Sequence, residues 1–257
     1  MSTGPGWLRV VGLGPGDPRY LTAETLDVLA AATDLVGYGP YVARVPERAG
    51  LTRHASDNRV EVERAREALA LAASGRAVAV VSGGDPGIFA MAAAVLEAIE
   101  AGPAAWRALD VAVLPGISAM QAASARLGAM LGHDFCAISL SDNLKPWATI
   151  LSRLTAAAQA DFVIAIYNPA SRARPDRIHE AFALLRRLKA GATVTALARA
   201  VGRPDERILV TTLAAVDPGQ VDMATLVLVG SSETRLIPRG GGLPDWVLTP
   251  RSYGAGR

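Results

Sequence analysis

The sequence predicts an α/β protein of two domains, the first on a mostly parallel sheet and the second on a mixed one. Three observations carry that prediction. Short apolar runs alternate with alanine- and leucine-rich helical runs, the order of parallel strands joined by crossover helices. Three apolar runs end in glycine- and proline-rich turns before a helix: Gly12-Leu13-Gly14-Pro15-Gly16-Asp17-Pro18, Ser82-Gly83-Gly84-Asp85-Pro86-Gly87 and Pro115-Gly116-Ile117-Ser118. After Lys189 the strands follow one another with little helix between them, which suggests hairpins in a mixed sheet.

The elements follow in order. Leu8 to Leu13 reads as the first strand. Thr22 is placed to cap a helix running to Ala32, with Glu24 favouring its first turn. Leu35-Val36 leads into Tyr38-Gly39-Pro40-Tyr41, a turn with two aromatic side chains. Arg59 to Ala73 is rich in Glu, Arg, Ala and Leu and reads as a helix stopped by Gly75. Ala77 to Val81 is the next strand. A helix opens at Ile88-Phe89-Ala90-Met91 and ends near Gly102-Pro103. Asp110 to Leu114 is a strand, and Ser118 stands where it can cap the helix behind it.

The pattern changes between Gly128 and Asp134. Phe135 to Leu140 reads as a strand and Pro146 to Ala158 as a helix opened by its proline. Asp161 to Tyr167 is a strand ending in Asn168-Pro169-Ala170-Ser171, and Pro175 to Lys189 is a helix. Strands follow at Thr193 to Ala200, Arg207 to Leu213 and Ala224 to Gly230. The expected domains are 1–120 and 121–240, with 241–257 as a loose tail.

Bulk properties narrow the function. Of 257 residues, 51% are hydrophobic and 19% charged, enough for a sizeable core. A net charge of +2 does not point to nucleic acid. Cys136 is the only cysteine, which excludes an internal disulfide framework and disfavours a zinc cluster, so a reducing cytoplasm fits. Met1 to Gly6 lacks the layout of a signal peptide, and no apolar stretch reaches membrane-spanning length. The expectation is a soluble protein with no membrane or nucleic-acid partner.

Glycine turns at strand ends read as a ligand mouth, because open α/β sheets bind small molecules at the carboxyl ends of their strands. Each turn taken alone is also an ordinary strand-to-helix connection. The spacing Gly12, Gly14, Gly16 is not the G-x-G-x-x-G of a dinucleotide site, and no acidic residue closes the second strand. No G-x-x-x-x-G-K-[ST] loop supports phosphate transfer.

Together these residues resemble the tetrapyrrole methylases. The matching motifs are Gly12-Leu13-Gly14-Pro15-Gly16-Asp17, Leu21-Thr22, Gly83-Gly84-Asp85-Pro86 and Pro115-Gly116-Ile117-Ser118-Ala119. Within the family, three features resemble the branch that methylates precorrin-3B at C17 and contracts the ring to precorrin-4 in cobalamin biosynthesis. They are Val36-Gly37-Tyr38-Gly39-Pro40-Tyr41, Ile138-Ser139-Leu140-Ser141-Asp142 with Pro146-Trp147, and Ile166-Tyr167-Asn168-Pro169-Ala170-Ser171-Arg172.

The resemblance implies two α/β domains with S-adenosyl-L-methionine in the cleft between them, S-adenosyl-L-homocysteine as product, and a homodimer. It places Pro15, Gly83, Gly84, Asp85, Ile88, Ser118 and Ala119 in the cofactor pocket from the first domain, and Asn168 and Val201 from the second. Methyl transfer from a sulfonium needs no metal, but ring contraction moves protons and calls for an acid or base. Ser141, Asp142 and His133 are the catalytic candidates, with Asp134, Tyr38 and Tyr41 beside them; His133 and Asp134 also read as a plain polar turn.

Tyr38, Tyr41 and Arg172 are candidates for the substrate, which by the same resemblance is a polycarboxylate. Arg44, Arg53, Arg59, Lys145, Arg174 and Arg177 could add to a basic cleft, although Arg174 and Arg177 read equally as a solvated helix start. Trp147 could flank the macrocycle. Cys136 reads as core, and His54 and His179 as surface. The alternatives are a sister enzyme acting at C11, C20 or on a cobalt-bearing ring, an RNA ribose methylase, and a non-catalytic adenosyl-ligand sensor.

Overall fold

The computed structural model describes residues 6–57, 60–171 and 174–253. The chain divides into two compact units, with the division between Ser118 and Ala119.

In the first unit the elements are β1 (Trp7–Gly12), α1 (Ala23–Ala31), β2 (Asp34–Tyr38), α2 (Gly39–Val42), β3 (Thr52–Ser56), α3 (Glu61–Ala73), β4 (Ala77–Ser82), α4 (Met91–Ala101) and β5 (Asp110–Leu114). The strands form one wholly parallel sheet, ordered β3-β2-β4-β1-β5. Alternation along the strands fills both faces. Leu8, Val10, Val78 and Val80 pack against α3 and α4, while Val11, Ala79 and Val81 pack with Leu29 of α1. Thr22 caps α1 as expected, its hydroxyl accepting from Thr25 N at 3.1 Å.

Two expectations fail here. The helix after β4 begins at Met91 rather than Ile88, because Phe89 has φ +53°, a left-handed conformation that no α-helix continues. Strand β3 was not foreseen: its residues, Thr52-Arg53-His54-Ala55-Ser56, lack an apolar run because β3 is a sheet edge.

His54 is half-buried rather than free at the surface. Its Nε2 lies 2.9 Å from Asp34 Oδ1 and its Nδ1 3.3 Å from Glu67 Oε1. Asp34 is buried, and its other oxygen accepts from Arg76 at 2.6 Å and Thr33 at 2.7 Å. Burial alone would raise the Asp34 pKa; the bonds from Arg76, His54 and Thr33 outweigh it and hold the carboxyl below its ordinary value.

The second unit carries α5 (Ala119–Leu127), β6 (Gly128–Ala129), β7 (Phe135–Ser139), α6 (Trp147–Gln159), β8 (Val163–Tyr167), α7 (Arg177–Leu188), β9 (Val194–Arg199), β10 (Arg207–Thr212), β11 (Thr225–Val229), β12 (Arg235–Ile237) and β13 (Trp246–Leu248). Its main sheet is ordered β10-β9-β11-β8-β7. Only β7 and β8 pair in parallel; β8-β11, β11-β9 and β9-β10 are antiparallel, so the sheet is mixed as expected. Ile138, Ile164, Ile166 and Val227 bury one face under Ile150 and Leu154 of α6 and Phe182 and Leu185 of α7.

The expected loose tail is also corrected. β13 pairs antiparallel with β12 and parallel with β6 in a three-stranded sheet. Val247 and Thr249 are buried, and the Thr249 hydroxyl donates to Met130 O at 2.7 Å. The composition of the segment disguised this, because three-residue strands carry too little alternation to detect.

Candidate functional site

In a wholly parallel sheet every strand delivers its exit to the same end. The three glycine turns, after β1, β4 and β5, therefore come together at one end of the first unit, and that sheet order makes them neighbours. They are joined by backbone. Gly14 N donates to Gly84 O at 3.2 Å and Gly84 N to Gly14 O at 2.9 Å. A Cβ on Gly12 would stand 2.6 Å from Gly84 O, and one on Gly116 would stand 2.4 Å from the same oxygen. Gly14 and Gly84 take φ of +64° and +69°. So the glycines let three segments of the chain touch, and two of them also supply a backbone conformation that other residues resist.

Asp85 ties the turns further. Its Oδ2 accepts from Gly116 N at 2.9 Å and its Oδ1 from Gly87 N at 2.8 Å. That makes Asp85 a latch between the β4 and β5 exits. Pro15 and Ser118 are buried, while Gly83, Gly84, Ile88 and Ala119 are half-buried. The Tyr41 ring occupies the space where a Gly83 Cβ would stand, 2.7 Å from it. Tyr38 meets Tyr41 edge-on, with ring centroids 5.4 Å apart at 87°. All the first-domain residues expected in the pocket except Ala119, which opens the second unit, thus lie at one end of this sheet, together with both tyrosines.

In the second unit, β7, β8 and β9 run in one direction, since β8 and β9 are each antiparallel to β11. Their exits hold Ser141 and Asp142, Asn168, and Val201. Asn168 has φ +49° and donates through Nδ2 to Ser139 Oγ at 2.9 Å, an oxygen that also accepts from Ser141 N at 3.2 Å. Tyr167 Oη accepts from Met120 N at 3.1 Å, in the first turn of α5. Val201 is buried.

The three catalytic candidates do not form one group. His133 precedes β7 and Ser141 and Asp142 follow it, so the strand alone separates them by roughly 13 Å. His133 Nε2 pairs with the Ser231 hydroxyl at 2.7 Å and its ring packs on Tyr253. Asp142 is saturated: Arg174 Nη1 reaches it at 3.0 Å and Arg177 Nη2 at 2.8 Å. Burial alone would raise the Asp142 pKa, but hydrogen bonds from Arg174 and Arg177 outweigh it and hold the carboxyl below its ordinary range. An ionised carboxylate committed to two guanidinium groups is a poor proton donor.

The expected basic cleft is corrected on the same ground. Arg174 and Arg177 are committed to Asp142, and Arg177 also pairs with Glu180 at 2.8 Å and stacks 4.6 Å over Trp147. Trp147 donates to Glu180 at 2.7 Å, so it is a packing partner of that network. Arg44 and Arg53 bind backbone carbonyls. Arg59 and Arg172 lie outside the described residues. Cys136 is half-buried against the core of this unit, and burial pushes its thiol up to about 11.

Reading by residue type missed Ser139, Tyr167 and the role of Arg44. A serine ending an otherwise apolar strand was the available indication for Ser139; the other two depend on distant backbone.

The fold defines a class: a two-unit α/β protein whose first unit gathers three glycine turns at one end of a parallel sheet, the kind of end at which open α/β sheets bind small molecules. Comparison with known proteins carries this further. Residues 8–217 match the Tetrapyrrole (Corrin/Porphyrin) Methylases, and the chain belongs to that family. It is 55% identical over 248 residues to a precorrin-3B C(17)-methyltransferase of Sinorhizobium sp, covering 96% of this chain and 97% of that one. It is 41% identical to a probable cobalt-factor III C(17)-methyltransferase of Salmonella typhimurium, covering 96% and 99%. The crystal structure of the methyltransferase CobJ superposes with a TM-score of 0.90 at 51% identity, covering 95% of this chain and 100% of that one.

Proposed function

We propose that the protein methylates precorrin-3B at C17, with S-adenosyl-L-methionine as donor, and contracts the macrocycle to precorrin-4 in cobalamin biosynthesis. The observation that carries this is the 55% identity with a precorrin-3B C(17)-methyltransferase over 96% of this chain and 97% of that one. The higher identity to that relative than to the cobalt-factor III enzyme, 55% against 41%, favours a metal-free ring.

The residues fit the donor. When bound, it supplies a methyl group on a positively charged sulfur, which leaves as a neutral sulfide when an electron-rich ring carbon attacks in line. The chain's task is to hold and orient. In this reading Pro15, Gly83 and Gly84 bring backbone close to the ligand, Gly84 with its N–H and C=O already paired to Gly14, while Ile88 gives an apolar wall and Ser118 and Ala119 the opening of α5. Asp85 acts by fixing the turns, with both oxygens already holding amides. Asn168, Val201 and the first turn of α5 complete the contacts of the second unit. Holding reactants in line is worth orders of magnitude in rate without any ionisable group.

Ring contraction needs protons moved. Tyr38 and Tyr41 stand at the β2 exit beside the β4 turn, and Ser141, whose hydroxyl oxygen accepts from Arg174 Nη1 at 3.0 Å, is the candidate that remains once Asp142 and His133 are set aside. We assign the tyrosines to the macrocycle, with Arg172 as a carboxylate partner. The protein is further read as a cytoplasmic homodimer. Among the described residues no helix is long and apolar enough to cross a membrane.

The test is mass spectrometry of purified protein incubated with S-adenosyl-L-methionine and precorrin-3B, with cobalt-factor III in parallel. A methylated, ring-contracted product from precorrin-3B is expected. Methylation at another carbon, or turnover of the cobalt form alone, would overturn the assignment; binding of S-adenosyl-L-homocysteine without turnover of either ring would favour a sensor.

A further inference from the structure

We infer that Arg44 is a positioning residue for the cofactor turns, and that residues 39–44 form a bracket holding two of them at once. The inference rests on the reading that these turns bind S-adenosyl-L-methionine. Arg44 lies just past α2, and its guanidinium gathers three carbonyls of the β1 exit: Leu13 O, Gly14 O at 3.1 Å and Gly16 O at 3.1 Å. That turn is tied to the β4 exit, where Ser82 O and Gly84 O accept from Leu13 N and Gly14 N, and within it Asp17 accepts from Arg19 N. Pro15 has no N–H, and Gly14 sits at φ +64°. Three carbonyls pointing the same way also repel one another. A planar fork of five donors reaches all three from two separate nitrogens, whereas an ammonium must gather them at one.

Three residues earlier, the Tyr41 ring fills the space left by Gly83 in the β4 exit. One helical turn therefore touches the β1 exit through Arg44 and the β4 exit through Tyr41. The two exits are already paired through Gly14 and Gly84, so the bracket closes a loop of contacts in which each turn is held from two sides. Arg48 provides a contrast. It caps the carbonyls of Leu29 and Ala32 at the end of α1, the same kind of contact but away from the turns. If Arg44 served only stability, removing either arginine would have similar consequences.

The experiment is calorimetric titration of the full chain with S-adenosyl-L-homocysteine, for wild type, Arg44→Met, Arg44→Lys and Arg48→Met, alongside steady-state kinetics. Arg44→Met is expected to weaken the ligand roughly tenfold or more, and Arg44→Lys by an intermediate factor. Arg48→Met should stay within about twofold although its melting temperature falls too. The KM for the tetrapyrrole should not follow the cofactor affinity. A further variant, Arg44→Ala, should also bind weakly and recover when methylguanidinium is added, which general loss of structure would not allow. Should Arg44→Met fail to fold, Arg44→Lys carries the comparison. Equal affinity in wild type and the Arg44 variants, or an equal loss in Arg48→Met, overturns the inference while leaving the proposed function standing. A wild type that does not bind the ligand overturns both.

Discussion

Replacing Gly116 by alanine tests whether the three strand exits are held by glycine contact. The added Cβ would stand 2.4 Å from Gly84 O and 2.9 Å from Gly12 Cα. Both are backbone atoms, so neither can swing aside as a side-chain tip would. Ordinary contact begins at 3.4 Å, so the β5 exit must withdraw from Gly84 by about 1.0 Å, the difference between 3.4 and 2.4. A withdrawal of that size can stretch the 2.9 Å bond from Gly116 N to Asp85 to about 3.9 Å, beyond hydrogen-bond range. Overpacking of this kind costs about 1–3 kcal/mol, and loss of a hydrogen bond to a carboxylate about 1.5–3 kcal/mol. Their sum is about 2.5–6 kcal/mol. Urea denaturation followed by circular dichroism reads the difference. Gly39→Ala is the control, because a Cβ there meets nothing within 4 Å; it should change stability little. If Gly116→Ala cost less than about 1 kcal/mol, the argument from glycine contact would be wrong.

Two further outcomes are expected. Asp34 has a folded pKa below its ordinary value of 3.8, so its partners stabilise the fold at neutral pH. On acidification the unfolded chain takes up the proton first, and that contribution is lost as pH falls through 3.8 toward the lower folded value. Asp34→Asn should therefore be less stable at neutral pH yet show a flatter decline in acid; parallel curves for the two proteins would refute the assignment. At Asn168, alanine loses the bond to Ser139 and must hold φ +49°, whereas glycine loses only the bond. Asn168→Gly should melt higher than Asn168→Ala, by about 1 kcal/mol in stability, and the reverse order would deny that the left-handed backbone matters there.

Most elements were legible because their causes are local. Alternating strands and helices, the Thr22 cap and the glycine turns depend on neighbours a few residues apart. The family resemblance came from the same turns, since touching backbones tolerate few residue types. The failures share a different cause. Strand β3 and the sheet of β6, β12 and β13 form only by pairing with distant segments, and their residues carry little periodicity. The start of α4 was misplaced because the backbone of Phe89 takes a conformation its residue type disfavours.

Charge shows the division most clearly. In sequence, Arg44, Arg53, Arg174 and Arg177 were simply basic residues near the motifs, and Asp142 and His133 were titratable groups a few positions apart. Whether an arginine meets a substrate, a carboxylate or a carbonyl depends on which strand exit it faces, and that follows from strand order. A five-residue strand was enough to part His133 from Asp142. By itself the sequence determined the α/β class, the glycine turns and the family, because these rest on short-range sterics and hydrogen bonding. Tertiary structure alone decided which polar side chains remain available for chemistry, because a partner across the sheet spends a charge as fully as a ligand does.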